Sequence, residues 1–349
     1  MTEKERVKRC IRFEKTDLQP WQINFTSELA RKVVDARGIR RPEHAVLGRN
    51  VYEFNGLDDF CGNHIANIRN RAVDSFVEVR PGVFRDEWGV QWDRRIDKDI
   101  GVPVNCVLEG MRLGELKAPD PGDPARFAHF EPIARAHARR YLLVRFSYSL
   151  FERAWSLRGM TNLMVDFIRN PSFVHELMRA ITDYHLALLE KLERYPLDGV
   201  MFGDDYGGQR GLLISPAMWR AFIKPYLKEM FDRAHARGYD VFIHSCGNVS
   251  LILDELLEIG LNVFNPFQPE VIDVEKLIER YAGRLAFYGG LSIQKTLPFG
   301  SAADVRAEVA HRLGLARVYG GYVIAPSHEM PPDVPVENVI AMVEALKNQ

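Results

Sequence analysis

From about residue 197 onward, short apolar runs alternate with helix-patterned stretches five times in succession. The runs are "DGVMFGDD", "YDVFIHS", "LNVFNPF", "LAFYGG" and "GYVIAPS". Strands that alternate with helices of ten to twenty residues imply a parallel sheet covered by helices. Each run is nearly continuous in apolar residues, as required when both faces of a strand are buried. The helix boundaries are marked as well. In "ISPAMWRAFIKPYLKEMFDRAHARG" Ser215 is an N-cap, Pro216 suits the first turn, Pro225 kinks or splits the helix and Gly238 ends it. The last helix follows Pro335, with Val339, Met342, Val343 and Leu346 at helical spacing.

Upstream, "WQINF" at 21–25 and "YLLVRFSYS" at 141–149 read as further strands, and "GVFRDEWGVQWDRR" as a β-hairpin with Gly89 at its tip. Seven or eight βα units without a GxGxxG after the first strand favour a (β/α)8 barrel over a doubly wound nucleotide-binding sheet. The expected architecture is therefore one α/β domain over residues 1–349, a (β/α)8 TIM barrel with an N-terminal extension and a β-hairpin insertion.

The chain has 349 residues, of which 46% are hydrophobic, enough for a large core. Its formal net charge of -1 provides no global field for nucleic acid or an anionic membrane, so a small-molecule or protein partner is expected. The charged opening "MTEKERVKRCIRFEKTD" resembles neither a signal peptide nor a membrane span, and a cytoplasmic protein is expected. Cys10, Cys61, Cys106 and Cys246 are too sparse for a disulfide framework and are expected as thiols.

In a barrel, chemistry collects at the carboxyl ends of the strands. Asp204 and Asp205 close one apolar run, His244 and Cys246 the next, Asn265 and Gln268 follow the third, and Ser327, His328 and Glu329 the last; Glu152 and Arg153 follow the strand that ends near Ser149. Taken singly, each has a structural explanation: a hydrogen-bonded histidine, a buried thiol, an aspartate that caps a loop. Together they make a pattern. His244 and Cys246 are two residues apart on a strand and face the same side. With His328 they supply three N/S donors and leave a fourth position open, the arrangement of catalytic zinc. "FCGNH" at 60–64 also pairs a cysteine with a histidine, but on no clear strand, and is set aside.

The stretches "GDDYGGQRGLLISPAMWRAFIKPYLKEMFDRAHARGYDVFIHSCGNV", "YGGLSIQKTL" and "GGYVIAPSHEMPPDVPVENVIAMVEAL" resemble the uroporphyrinogen decarboxylase superfamily, well over residues 141–349 and loosely before that. The resemblance implies a single (β/α)8 barrel and one of two chemistries. True uroporphyrinogen decarboxylases carry "MRQAGR" after the first strand, with an arginine for substrate carboxylates, and need no metal. Here that place reads "WQINFTSELAR", without that arginine. The corrinoid-linked methyltransferases and O-demethylases hold zinc through an HxC pair and a distant Cys. His244 and Cys246 match the pair, and His328 stands at the third place.

The resemblance therefore implies zinc held by His244, Cys246 and His328, and methyl transfer between a small methoxy, methylamino or thiol compound and a corrinoid on a partner protein. Asp204, Asp205 or Glu152 would complete the metal shell or donate a proton, and Arg153, Asn265 and Gln268 would orient substrate. The alternative is a metal-free lyase on the same barrel, in which Asp204 and Asp205 stabilise a cationic intermediate.

Overall fold

A computed structural model describes residues 1–39, 57–71, 75–96, 101–110 and 112–349. Its centre is a parallel sheet of seven strands: β1 (Ile65–Arg69), β2 (Tyr141–Phe146), β3 (Gly199–Gly203), β4 (Asp240–His244), β5 (Val263–Asn265), β6 (Ala286–Leu291) and β7 (Tyr322–Pro326). They pair in chain order from β1 to β7. Sequential strands joined by short βα units lie side by side because the connecting helix packs back on the sheet. The five runs after residue 197 are β3 to β7, as their patterning predicts. Helix punctuation also falls where expected: Ser215 accepts from the Met218 N–H, the chain breaks at Ile223 into helices Pro216–Phe222 and Lys224–Ala236, and Gly238 follows with a φ of 78°.

Segment 21–25 is extended and lies between the sheet's two edges, but it forms only isolated bridges. On one side the backbones of Gln22 and Ile324 are joined at 3.0 Å, and those of Asn24 and Met330 at 3.0 Å. On the other side an amide side chain replaces a ladder: Asn63 accepts from the Ile23 N–H at 2.8 Å and donates to its carbonyl at 3.0 Å. Among the described residues the regular sheet thus holds seven strands.

The inward-facing residues of β1 to β7 form their own core, including Ile65, Tyr141, Leu143, Met201, Phe242 and Val323. Its floor is the amino-terminal helix Glu3–Ile11, which begins at a capping box of Thr2 and Glu5 and buries Val7, Cys10 and Ile11 against those strands. Lys4 and Lys8 of this helix reach Asp198 at 2.8 and 2.7 Å. This helix packs into the amino end of the barrel-like sheet.

The hairpin is present, with Gly89 in its turn at a φ of 86°, and it belongs to a four-stranded antiparallel sheet of Val77–Arg80, Val83–Arg85, Gln91–Asp93 and Val102–Pro103. Arg153 ties this sheet to the barrel. Its guanidinium donates to Asp86 Oδ2 at 2.7 Å, both side chains are buried, and it lies over the rings of Trp88 and Tyr148. Asp86 also accepts from the Trp88 and Val90 backbone N–H groups and from Trp92 Nε1. Arg153 is thus committed to holding the sheet, in place of the substrate-orienting role expected of it.

Breaking a buried ion pair from one side leaves the other charge uncompensated. Arg153→Met is expected to lower unfolding free energy by about 3–5 kcal/mol, measured by urea denaturation. An unchanged midpoint would show that the pair does not anchor the sheet.

Candidate active site

A cavity of about 370 Å³ opens at the carboxyl ends of the strands. What lines it follows from the two-residue period of a strand. In β4 Phe242 faces the interior, so His244 does too, at the rim; in β2 Tyr141 and Leu143 face in, and so does Arg145. Past the strand end the alternation still sorts the two aspartates. Asp205 lines the cavity, whereas Asp204 is fully buried behind it.

His244, Cys246 and His328 offer donor atoms that all lie within 4.8 Å of one another; among the described residues they form the one such group of three or more. Cys246 Sγ is 3.4 Å from His244 Nε2, and the two imidazole rings are 5.2 Å apart, edge to face. Bond lengths of about 2.3 Å to sulfur and about 2.0 Å to nitrogen put two ligand atoms of a tetrahedral ion about 3.5 Å apart. The His244–Cys246 edge fits that spacing. Gly247 makes the turn possible: it has a φ of 79°, and an added Cβ would lie 2.4 Å from the Gly207 carbonyl carbon.

Asn265 decides the tautomer of His244. Its Nδ2 donates to the Tyr288 carbonyl at 2.9 Å, so its Oδ1 must face His244 Nδ1, 2.5 Å away, and can only accept there. Nδ1 therefore carries the proton, and the Nε2 lone pair points at Cys246. Histidine ligands are commonly held by such a partner. Burial, then the Arg145 charge, lowers the His244 pKa to about 4, so the ring is neutral at physiological pH. Burial and the neighbouring His244 also lower that of His328.

Asp205 accepts from the Cys246 backbone N–H at 2.8 Å, and its Oδ1 is 4.0 Å from His244 Nε2. Asp204 accepts from the backbone N–H groups of Phe151 and Glu152 at 2.9 and 2.6 Å, capping helix Phe151–Arg158. That capping aims Glu152 into the cavity. Burial, followed by the Asp205 and Asp204 charges, pushes the Glu152 carboxyl well above the usual carboxylate range. Burial raises Asp205 too, opposed by the Cys246 N–H, and burial with the Asp205 charge pushes the Cys246 thiol up.

The expected site residues divide accordingly. Glu152, Asp205, His244 and His328 line the cavity, and Cys246 meets His244. Asn265 acts on His244 instead of on substrate. Gln268 is buried and accepts from the Gly247 N–H at 3.2 Å, supporting the turn after Cys246. Asp204 and Arg153 face packed interior. Arg69, Arg71, Arg94 and Arg145 also line the cavity, and no reading of the sequence singled them out. The available signal was an arginine at the last inward-facing position of each of "IANIR" and "YLLVRF". Glu329 Oε1 straddles two of them, 3.3 Å from Arg145 and 3.8 Å from Arg69. Burial opposes its charge, yet Arg145 and Arg69 hold it below the usual range.

A parallel βα sheet with convergent acids, imidazoles and a thiol at its carboxyl mouth is the layout of an enzyme built on a TIM-barrel-like scaffold. Residues 107–349 match the family model described as uroporphyrinogen decarboxylase (URO-D). The chain belongs to the uroporphyrinogen decarboxylase family. Over 187 residues it is 29% identical to the uroporphyrinogen decarboxylase of Xanthomonas euvesicatoria pv. vesicatoria, a match covering 51% of this chain and 50% of that protein. The chain thus spans about half the length of these Xanthomonas relatives. The Chlorobaculum tepidum uroporphyrinogen decarboxylase is 23% identical, with 98% of this chain and 89% of that one covered. Among solved structures, a methyltransferase from Methanosarcina mazei superposes with a TM-score of 0.75 at 18% identity, covering 100% of this chain and 99% of that one, and shares the fold. Among the described residues no helix is long and apolar enough to cross a membrane.

The Asn265 bond should be visible directly. Nitrogen-15 NMR of metal-free protein is expected to show His244 as the Nδ1–H tautomer, and Asn265→Leu should shift the ring toward a tautomer mixture. A wild-type ring protonated on Nε2 would contradict this geometry.

Proposed function

We propose that this chain is a metal-dependent methyltransferase of the O-demethylase type. It would move a methyl group between a small methoxy, methylamino or thiol compound and a corrinoid carried by a partner protein. The observation that carries this reading is the donor trio His244, Cys246 and His328, with the His244 lone pair aimed by Asn265 at the space between them. A metal-free site has no evident use for that convergence.

His244, Cys246 and His328 would hold zinc, leaving a position toward the cavity for the substrate heteroatom. Bound zinc would supply Lewis acidity, which polarises that heteroatom. With a methoxy compound, the bond from carbon to oxygen breaks as the methyl group leaves for the corrinoid, and the oxygen must then gain a proton. Glu152, at the cavity wall with its carboxyl pushed up by burial, would supply that proton as the general acid. Asp205 fixes the Cys246 backbone, and its charge adds to burial in raising the Glu152 pKa. Asp204 positions Glu152 through the helix cap. Phe146, Tyr148, Met201 and Ile293 give part of the cavity wall an apolar surface for the body of the substrate.

The decarboxylase names of the relatives favour a second reading, a metal-free lyase in which a cavity carboxylate stabilises a cationic intermediate. Asp205 would serve there, since Asp204 is engaged with backbone.

Two measurements separate these. Wild-type protein supplied with zinc is expected to retain it stoichiometrically, while Cys246→Ala loses it and stays folded. Zinc uptake should tighten as pH rises, because a thiol pushed up by burial must lose its proton to bind. Metal-free wild-type protein would leave the lyase reading.

In methyl transfer from a methoxy compound to cob(I)alamin, turnover is expected to fall as pH rises through the raised Glu152 pKa, since only the protonated acid serves. Glu152→Gln should lose about 10²–10⁴-fold in turnover together with that alkaline limb. A pH profile unchanged by the substitution would remove Glu152 from the reaction.

A further inference from the structure

Among the described residues, three other than glycine have a positive φ: Phe13, Tyr148 and Phe267. Bulky side chains avoid that region, and such strain is kept where the fold or the site requires it. Packing explains two of them, since Phe13 lies against the floor of the barrel and the ring of Phe267 stacks on Phe287 at 4.0 Å. Tyr148, with a φ of 55°, lines the cavity instead. Its strain has a local cause. Phe146 is the register partner of Phe202, yet Ser149, three residues on, donates its N–H to the carbonyl of Gly203, one residue on. The chain therefore bulges at Ser147 and Tyr148, and a bulge beside a site re-aims a side chain. Neighbours then fix the ring. The Trp92 ring is 4.9 Å away, and the guanidinium of Arg153, itself held by Asp86, lies 5.2 Å from the Tyr148 centroid.

These contacts use the ring and leave the hydroxyl unexplained, because a phenylalanine would make them as well. Burial above all pushes the Tyr148 pKa up to about 12, with Glu152 the next contributor, and no hydrogen bond enters. The group is thus an O–H donor at neutral pH, on the cavity wall and close to Glu152. Resting on the methyl-transfer reading above, we propose that the Tyr148 hydroxyl donates a hydrogen bond to the methylated oxygen of the substrate and holds it for the proton that Glu152 supplies. As the methyl group leaves for the corrinoid, the carbon–oxygen bond breaks and the oxygen keeps the electron pair. That pair takes the Glu152 proton. Tyr148 keeps its own proton and stabilises the charge that builds on the oxygen beforehand. An ether oxygen has a lone pair for this donor even when another faces the donor trio, whereas a quaternary methylammonium has none. The hydroxyl therefore narrows the substrate to a methyl ether, since a site built to hydrogen-bond a substrate group rejects an analogue that lacks it.

The test titrates the full chain with 4-nitrophenolate, whose oxygen stands for the leaving group, and with phenyltrimethylammonium, which has a similar ring and no lone pair. Tyr148→Phe keeps the ring and removes the donor. It is expected to weaken 4-nitrophenolate at least about tenfold, the scale of one charge-assisted hydrogen bond, and to move the bound absorption band to longer wavelength. Affinity for phenyltrimethylammonium should not change. Replacing Tyr148 by 3-fluorotyrosine, a stronger acid of nearly the same shape, should tighten 4-nitrophenolate. In transfer from methoxybenzene to cob(I)alamin, Tyr148→Phe should lower turnover at least about tenfold while the alkaline limb set by Glu152 persists. An unchanged affinity and band in Tyr148→Phe, an equal loss for both probes, or no binding of 4-nitrophenolate to wild-type protein would overturn the proposal. The 3-fluorotyrosine titration decides even where Tyr148→Phe fails to fold. The expected binding differences without methyl transfer would leave the Tyr148 donor standing and would count against the methyl-transfer reading alone.

Discussion

Alternation along a parallel strand limits what each strand can present at the mouth of the sheet. One residue at its carboxyl end faces in, and the next inward place lies two residues later, in the loop. At β1 and β2 those places hold Arg69 and Arg145, at β4 His244 and then Cys246, at β5 Asn265, and just past β3 Asp205. Register fixes which of these meet, since His244 is paired with Gly203 on one side and with Asn265 on the other. The absence of a side chain at Gly203 leaves room over β3. The amide at Asn265 orients the imidazole beside it. The amino-terminal helix packs into the opposite end, and the polar residues gather at the mouth.

The mouth is electrically divided. On one side stand neutral imidazoles, a thiol and the carboxyls of Glu152 and Asp205, with burial first and the Asp205 charge next raising the Glu152 pKa. On the other stand arginines crowded enough that burial and the neighbouring Arg71 pull the Arg69 pKa down to about 9, still charged at neutral pH. Glu329 lies at the border and is tied to Arg145 and Arg69. A ligand that bridges the two halves would be oriented by charge before any chemistry began. The antiparallel sheet is part of this arrangement, because it carries Arg94 to the cavity and is itself pinned by the buried Arg153–Asp86 pair.

Strands β3 to β7 were legible because each is an apolar run bounded by clear helix signals, and His244 and Cys246 because their spacing shares one face. Strand β1 was not, since "IANIR" mixes Asn67 and Arg69 into the inward register and so lacks an apolar signature. For the same reason the arginines went unnoticed: a charged residue closing a strand looks like its boundary. Asp204 and Asp205 are chemically alike, and only the inward register of β3 separates the one that caps a helix from the one that faces the cavity. Arg153 follows Glu152 on the same helix, and its direction depends on the buried Asp86, 67 residues earlier in the chain, which local patterning cannot reveal.

The proposed chemistry depends on a metal held by one thiolate and two imidazoles. X-ray absorption at the zinc edge of protein loaded with zinc reads that set directly. The expected shell is one sulfur at about 2.3 Å with nitrogen or oxygen neighbours at about 2.0–2.1 Å, including the outer-shell scattering of two imidazole rings. A shell of nitrogen and oxygen alone, without sulfur, would contradict a centre built on His244, Cys246 and His328.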